Sequence, residues 1–345
     1  MTPPARGSVG YYVHHVGSGH RHRAQVLAER LAREGIRVTG LSSLEAPRGW
    51  PGDWVRLARD DGGRAPDRTA HDHLHWAPLH HDGLRERTSA ISAWLASARP
   101  DLVVVDVSVE VSLLVRLHGV PVIGVVLPGR RDDEPHRLGL GVAEALVGFW
   151  PAEADGMAPG LPPELRERLV CVGALSRHPV RDVPDATPTG AARKVVLMLG
   201  TGGHDVAPAS VRAALASTPG WEWDVLGAGP ETWVDDPSVV LAAADVVVTH
   251  AGQNALAETA AARRPAVVLP QERPHQEQRT TAAVLEQDWP AVVCRTWPDA
   301  DEWPYVLSRA ASLDPQRWTA WCDGDAAERF ARVVLDVRDR TRCRS

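Results

Sequence analysis

The sequence predicts an α/β chain of two doubly wound parallel-sheet domains. Three observations lead there. The chain has 345 residues, which at roughly 150 residues per domain allows two separate cores. Short, wholly apolar runs alternate with amphipathic segments of helical period, the pattern of a parallel sheet covered on both faces. That alternation breaks at Arg177 to Arg193, where Pro179, Pro184, Pro188 and Gly190 interrupt a stretch of low apolar content, and then it restarts. The expected boundaries are an N-terminal domain over 1–176, a linker over 177–190 and a C-terminal domain over 191–345.

The elements follow in order. Val9 to His14 reads as a buried strand, and Gly17-Ser18-Gly19 leads into a helix from Arg21 to Glu34 with Ala24, Leu27, Ala28 and Leu31 on one face. Ile36 to Leu41 is the next strand. Ala46 to Ala70 reads as a loop insertion. Leu84 to Ala98 has helical period, Leu102 to Asp106 is a continuous apolar strand, Val109 to Leu117 a helix and Val120 to Leu127 a strand. Beyond the linker come strand Val195 to Leu199, helix Pro208 to Ser217 and strand Glu222 to Leu226. Strand Val246 to Thr249, an alanine-rich helix to Arg263 and strand Ala266 to Leu269 follow. Helices near Trp303 to Ser312 and Ala326 to Val337 close the chain.

Composition removes several classes of function. The formal charge is −6, from 38 Lys+Arg against 44 Asp+Glu, so a generally basic nucleic-acid binder is not expected. Lys194 is the only lysine, which rules out any mechanism needing two. Cys171, Cys294, Cys322 and Cys343 form no C-x-x-C pair, so neither a zinc ribbon nor a disulfide scaffold fits. Met1 to Ser8 is polar and runs straight into a strand, unlike a signal peptide. The longest apolar stretch, Leu102 to Leu127, is broken by Asp106, Glu110, Arg116 and His118 and is no spanning helix. The expectation is a cytoplasmic protein that at most rests on the inner membrane surface.

The most informative segment is THAGQNALAETAAARRPAVVLPQERPHQEQ, Thr249 to Gln278. A buried strand delivers His250 to its carboxyl end, where α/β folds bind ligands. Gly252 allows close backbone approach, and the helix beginning near Gln253 points free amides and a positive dipole at the same place. An anion, most naturally a diphosphate, fits there, with His250 as a further donor. Asn254 and Glu258 lie four apart and share a helix face, and a carboxylate in that position suits two vicinal hydroxyls. Glu277 and Gln278 are a polar pair suited to sugar hydroxyls. The plainer reading is an ordinary strand–helix unit with surface polar residues. A second glycine loop, Gly200-Thr201-Gly202-Gly203, follows the first strand of the second half, where small residues let amides face a phosphate.

This segment resembles the donor-binding signature of GT-B nucleotide-sugar glycosyltransferases, the MurG-like enzymes with a glycosyltransferase family 28 C-terminal domain, and also the UDP-glycosyltransferases. The resemblance covers Trp233 to Ala283 most strongly and extends to both glycine loops. It implies a GT-B fold of two Rossmann-like domains facing a cleft, with the last helix a candidate to cross back to the first domain. It also implies that His250 and the amides after Gly252, including those of Gln253 and Asn254, hold a diphosphate. Glu258 would take the ribose, Glu277 and Gln278 the donor sugar, and a backbone group near Val234 the uracil edge. Gln253 stands where the plant enzymes carry a tryptophan.

The loop Gly17-Ser18-Gly19-His20 is similar to the glycine-rich loop at the start of MurG-like enzymes. It fails as a dinucleotide fingerprint, because His22 occupies a glycine position and no acid ends the second strand. An inverting transfer needs a base for the acceptor hydroxyl, which suits His20; His14, His15 and His22 are rivals. Asp106, at the end of another strand, is either the acid that orients the imidazole, as in plant UDP-glycosyltransferases, or the N-cap of the helix at Val109. The expected activity is metal-independent, inverting transfer of a hexose or N-acetylhexosamine from a UDP-sugar, a co-substrate rather than a cofactor, to a hydroxyl on a lipid carrier, natural product or glycan. A UDP-N-acetylglucosamine 2-epimerase and a non-catalytic nucleotide-sugar-binding protein are the alternatives.

Three further features carry weaker readings. The alternation His71-Asp72-His73-Leu74-His75 would place three imidazoles on one strand face, as a polar surface, a metal site or an acceptor lining. Asp299-Ala300-Asp301 and Asp323-Gly324-Asp325 match a D-x-D pattern but fall in polar stretches that read as solvated turns. Arg130-Arg131, after the strand ending at Leu127, offers cations to an anionic acceptor but reads first as a solvated surface pair.

Overall fold

The computed structural model describes residues 7–15, 19–62, 66–183, 192–199, 206–227, 232, 234 and 236–343. By its contacts the chain forms two compact units. One comprises Met1–Gly148, Ala158–Val172 and Ala327–Ser345, the other Phe149–Met157 and Gly173–Ala326.

In the first unit the order is β1 (Gly7–Val13), α1 (Gly19–Ala32), β2 (Ile36–Ser42), β3 (Trp54–Arg56), α2 (Asp82–Ala98), β4 (Leu102–Asp106), α3 (Val109–Leu117), β5 (Val122–Val126), α4 (Glu134–Gly141), β6 (Ala145–Gly148), α5 (Pro163–Arg166) and β7 (Leu169–Cys171). The strands form one sheet ordered β3-β2-β1-β4-β5-β6-β7, and every pairing is parallel. All five residues of β4 are buried, as expected of a central strand covered on both faces. Gly10 of β1 is required by close packing, since a Cβ there would lie 2.6 Å from the Trp94 ring of α2. Ser108 caps α3 and Asp133 caps α4, each side chain accepting from the backbone amide three residues on.

The second unit runs β8 (Arg193–Met198), α6 (Pro208–Ser217), β9 (Trp221–Leu226), α7 (Ser238–Ala243), β10 (Val246–Thr249), α8 (Gln253–Ala261), β11 (Ala266–Val268), α9 (Glu277–Leu285), β12 (Ala291–Val293), α10 (Trp303–Ala311) and α11 (Trp318–Trp321). Its sheet is ordered β12-β11-β10-β8-β9, again all parallel. The period of two along the strands divides the core. Val195, Leu197, Val246 and Val248 face Trp303 and Leu307, while Val196, Met198 and Val247 face Leu241 and Ala244. The last helix, α12 (Ala326–Arg342), belongs over 327–345 to the first unit. Phe330 is fully buried and meets Tyr11 edge-on at 6.5 Å. Glu328 pairs with Arg30, and Arg342 with Asp101.

Three expectations need correction. The stretch Ala46 to Ala70 is not wholly a loop, because Trp54–Arg56 adds an edge strand to β2; three residues are too few to show a period. His71 to His75 is not a strand. Ala70, His71 and Asp72 all have positive φ (48°, 57° and 69°), so the chain turns and the alternating face does not exist. Arg131 is no surface residue: it is buried, and its guanidinium donates to the carbonyls of Leu127 and Pro128, while Arg130 is exposed. Both D-x-D segments are exposed turns, Asp299 at the start of a turn into α10 and Asp323 accepting from the amide of Asp325.

Candidate functional site

Each sheet reverses its strand order once, and in an open α/β sheet the crevice at that reversal, at the carboxyl ends of the strands, is where ligands bind. In the first sheet the reversal falls between β1 and β4, with Val13 in register with Asp106. In the second it falls between β8 and β10, with Met198 in register with Thr249.

His20 and Asp106 meet at the first of these points. His20 lies in the first turn of α1, directly after Gly19; Gly17 and Ser18 lie outside the described residues. Asp106 is the last residue of β4 and is fully buried. It is not the cap of α3, a role that Ser108 fills. Val107 between them has φ 67°, the left-handed region that a β-branched residue rarely enters. Such a backbone costs about 1–3 kcal/mol and tends to occur where surrounding structure imposes it for function. The Asp106 carboxylate receives the Tyr11 hydroxyl on Oδ2 (3.0 Å), Arg23 Nε on Oδ2 (3.0 Å) and Arg23 Nη2 on Oδ1 (2.9 Å), and His20 Nδ1 lies 2.8 Å from Oδ1.

The tautomer of His20 follows from these contacts. Arg23 Nη2 also lies 2.8 Å from Nδ1, but Nδ1 cannot accept from Arg23 and donate to Asp106 at once. A bare Nδ1 lone pair 2.8 Å from a carboxylate oxygen would be repelled. Nδ1 therefore carries the proton and donates to Asp106, and Nε2 keeps the lone pair that a base uses. Burial by itself would raise the Asp106 carboxyl; the charge of Arg23, with the hydrogen bonds from Arg23 and His20, outweighs it and holds the group well below the usual carboxylate range. Burial, reinforced by the Asp106 charge, pushes the Tyr11 phenol far above its ordinary value, so it remains a donor.

The rival imidazoles are placed differently. His14 stacks on His15 at 4.8 Å and is lowered to about 3 by burial and by the neighbouring His20 and His15, which leaves it a weak base. His15 reaches Asp61 and Asp60 only at 3.5 and 3.9 Å. Arg23 and Tyr11 were not anticipated from sequence. The signal was present for Arg23, three residues beyond His20 and so on the same helical face.

The second point gathers His250, Gly252, Gln253, Asn254 and Glu258 around the amino end of α8. His250 is buried directly after β10, and its Nδ1 donates to the Leu269 carbonyl at 2.9 Å. In the neutral ring Nε2 is then an acceptor; only the imidazolium can donate from it. Gly252 is the N-cap and offers no side chain, so the first amides of the nine-residue helix have no capping group. Among the described residues nothing accepts from the buried Gln253 Nε2. Asn254 is half-buried and Glu258 is buried, its carboxylate accepting from Arg177 Nε at 2.6 Å. Arg177, in the stretch expected to be linker, is the residue missed here, and nothing in its sequence context marks it.

Glu277 and Gln278 are the first two residues of α9. Gln278 is buried and its Oε1 accepts from the Gln271 amide at 2.9 Å, bracing the preceding turn, in which His275 and Gln276 both have positive φ. Val234 is partly exposed, ahead of α7. Gly200, Thr201 and Gly202 lie outside the described residues.

In the first unit His75, Asp133 and His136 bring ligand-type atoms within 4.8 Å of one another. Their hydrogen bonding is already coherent without an ion. Arg131 Nη1 faces His136 Nε2 at 3.2 Å and Asp133 faces Nδ1, which fixes a neutral ring with its proton on Nδ1. A cation on Nδ1 would move that proton to Nε2, against a guanidinium.

Residues 231–299 match the family model of the glycosyltransferase family 28 C-terminal domain. Among solved structures the chain is similar to the glycotransferase of kitacinnamycin (18% identity, TM-score 0.69, covering 97% of this chain and 100% of that one). It is similar to MurG of Acinetobacter baumannii (13%, 0.62, 95% and 99%) and to Arabidopsis thaliana UGT89C1 complexed with UDP (14%, 0.66, 96% and 100%). No curated protein matches the chain by sequence. The two units thus define a protein of the GT-B glycosyltransferase fold. The segment 231–299, which holds α7, β10, α8, β11, α9 and β12, is similar to the glycosyltransferase family 28 C-terminal domain.

Proposed function

We propose that this protein is a nucleotide-sugar glycosyltransferase. It moves a hexose or N-acetylhexosamine from a UDP-sugar to an acceptor hydroxyl in one inverting displacement that requires no metal. The observation that carries the reading is the imidazole held by a buried carboxylate at the strand reversal of the first sheet, with Nε2 left as the basic nitrogen. Proton abstraction by a positioned base of this kind contributes about 10²–10⁴ in rate. The amino end of α8 would stabilise the departing diphosphate through its uncapped amides and His250, and Glu258 would take the ribose hydroxyls. The structures that support it include one complexed with UDP. The acceptor class, whether lipid carrier, natural product or glycan, is left to the assay.

The test is release of UDP from a panel of UDP-sugars with hydroxyl acceptors, with the anomeric configuration of the product read by NMR and the assay repeated in EDTA. Expected are an inverted product, an unchanged rate in EDTA, and a loss of about 10²-fold or more in kcat for His20→Ala. A retained anomer, or full rate in His20→Ala, overturns the mechanism. A C2-inverted nucleotide sugar formed without acceptor would make the protein an epimerase.

A further inference from the structure

We propose that Arg23 is a positioning residue that selects the working tautomer of His20 by keeping Asp106 ionised and oriented. The proposal rests on the reading of His20 as the base. Its physical content begins with Asp106, a carboxylate at 0% exposure in the floor of the first sheet. Left alone in such a place, a carboxyl group takes up a proton rather than bear a desolvated charge. The consequence for His20 would be a reversal. A protonated Asp106 donates its hydroxyl to Nδ1, which must then be the bare nitrogen, and the ring proton moves to Nε2. The nitrogen facing away from Asp106 would carry hydrogen and could not act as a base.

Arg23 prevents this by geometry as well as by charge. Its Nε and Nη2 form a fork on the two carboxylate oxygens, at 3.0 Å to Oδ2 and 2.9 Å to Oδ1, the bidentate arrangement that fixes a carboxylate in plane. Tyr11 fills a further position on Oδ2. What remains on Oδ1 is directed at His20 Nδ1, 2.8 Å away. Arg23 and His20 lie three apart on α1, so one helix delivers both the imidazole and the cation that sets its partner. The guanidinium is itself buried, at 4% exposure, and a surface role does not account for it. The strained backbone at Val107 adds to the same picture, since it holds the end of β4 where the carboxylate meets both groups.

The experiment is a long-range ¹H–¹⁵N correlation spectrum of the ¹⁵N-histidine-labelled full chain, the His20 signals being assigned as those lost in His20→Gln. The wild type should show a protonated Nδ1 and a bare Nε2. In Arg23→Met the pattern should exchange, with the proton on Nε2, and kcat for sugar transfer should fall by about 10²-fold at nearly unchanged donor KM. Arg23→Lys, which restores a cation, should recover the wild-type tautomer and part of the rate. Should Arg23→Met fail to fold, Arg23→Gln fills the space with a neutral donor and should show the same exchange. A wild-type ring protonated on Nε2, or an uncharged Arg23 variant with the wild-type tautomer, overturns the proposal. If the tautomer exchanges as expected but the wild type transfers no sugar, the role of Arg23 stands and the reading of His20 as the base of a transferase fails.

Discussion

His20 and His250 commit the same ring nitrogen to different partners, and the difference sets what each can do. His20 Nδ1 faces a buried carboxylate, which stabilises the imidazolium formed when Nε2 takes a proton. His250 Nδ1 donates to the neutral carbonyl of Leu269, which fixes the ring but adds no charge. If a diphosphate occupies the amino end of α8, the neutral His250 presents a lone pair to an anion, an unfavourable contact that a proton on Nε2 reverses. UDP binding should therefore be accompanied by proton uptake near neutral pH. Calorimetry in buffers of different ionisation enthalpy measures it directly; uptake should vanish in His250→Asn, and its persistence there would assign the proton elsewhere. Glu258 makes a second test at this scale. Its buried carboxylate is balanced by the partly exposed Arg177 in the free protein, so Arg177→Ala leaves that charge without its cation and should cost about 1–3 kcal/mol by urea denaturation, less than for a fully buried pair. Glu258→Gln removes the charge itself and should be milder for stability while weakening UDP binding.

The helices carry these residues because their first turns follow strands at the sheet reversals, and the strand–helix alternation was legible in sequence. Helices α3 and α6 and strand β10 have the bounds that their apolar pattern predicts. The short strands β3, β7 and β12, three residues each, left no period to read. The site was legible where chemistry follows from chain order, as with His250 after β10 and Gly252 before α8. It was not legible where a long side chain reaches across the fold: Arg23 and Tyr11 converge on Asp106 from 83 and 95 residues away, and Arg177 on Glu258 from 81. Helix α12 shows what one such element contributes. Phe330 is its fully buried anchor against Tyr11, whose hydroxyl binds Asp106. Phe330→Ala should lower the stability of the first unit by about 3–5 kcal/mol, measured by urea denaturation. Ser108→Ala removes only the cap of α3 and should cost about 1 kcal/mol. An equal loss in the two variants would contradict the packing described.

For the molecule as a whole, the polar groups buried in the first unit make stability depend on pH, and their signs agree. His14 is lowered to about 3 by burial and by the charges of His20 and His15; His136 is lowered to about 3 by burial, Arg131 and His75. In the unfolded chain each imidazole takes its proton near about 6.5. Between those values the unfolded state binds more protons than the folded state, so stability is lost as pH falls from about 6.5 toward 3, by about 1.4 kcal/mol per pH unit for each group. Asp106 acts in the same direction lower down. Its folded-state pKa is depressed, so its contribution is complete above the ordinary carboxylate range and is lost as pH falls below it. The urea midpoint of the first unit's transition should be level from pH 8 to 7 and then fall steadily from about pH 6.5, well before carboxylates protonate. His136→Gln keeps a neutral polar side chain beside Arg131 and should remove one proton's worth of slope between pH 6 and 4. A midpoint that stays level down to pH 4.5 in the wild type would mean that these imidazoles take up their protons while still folded.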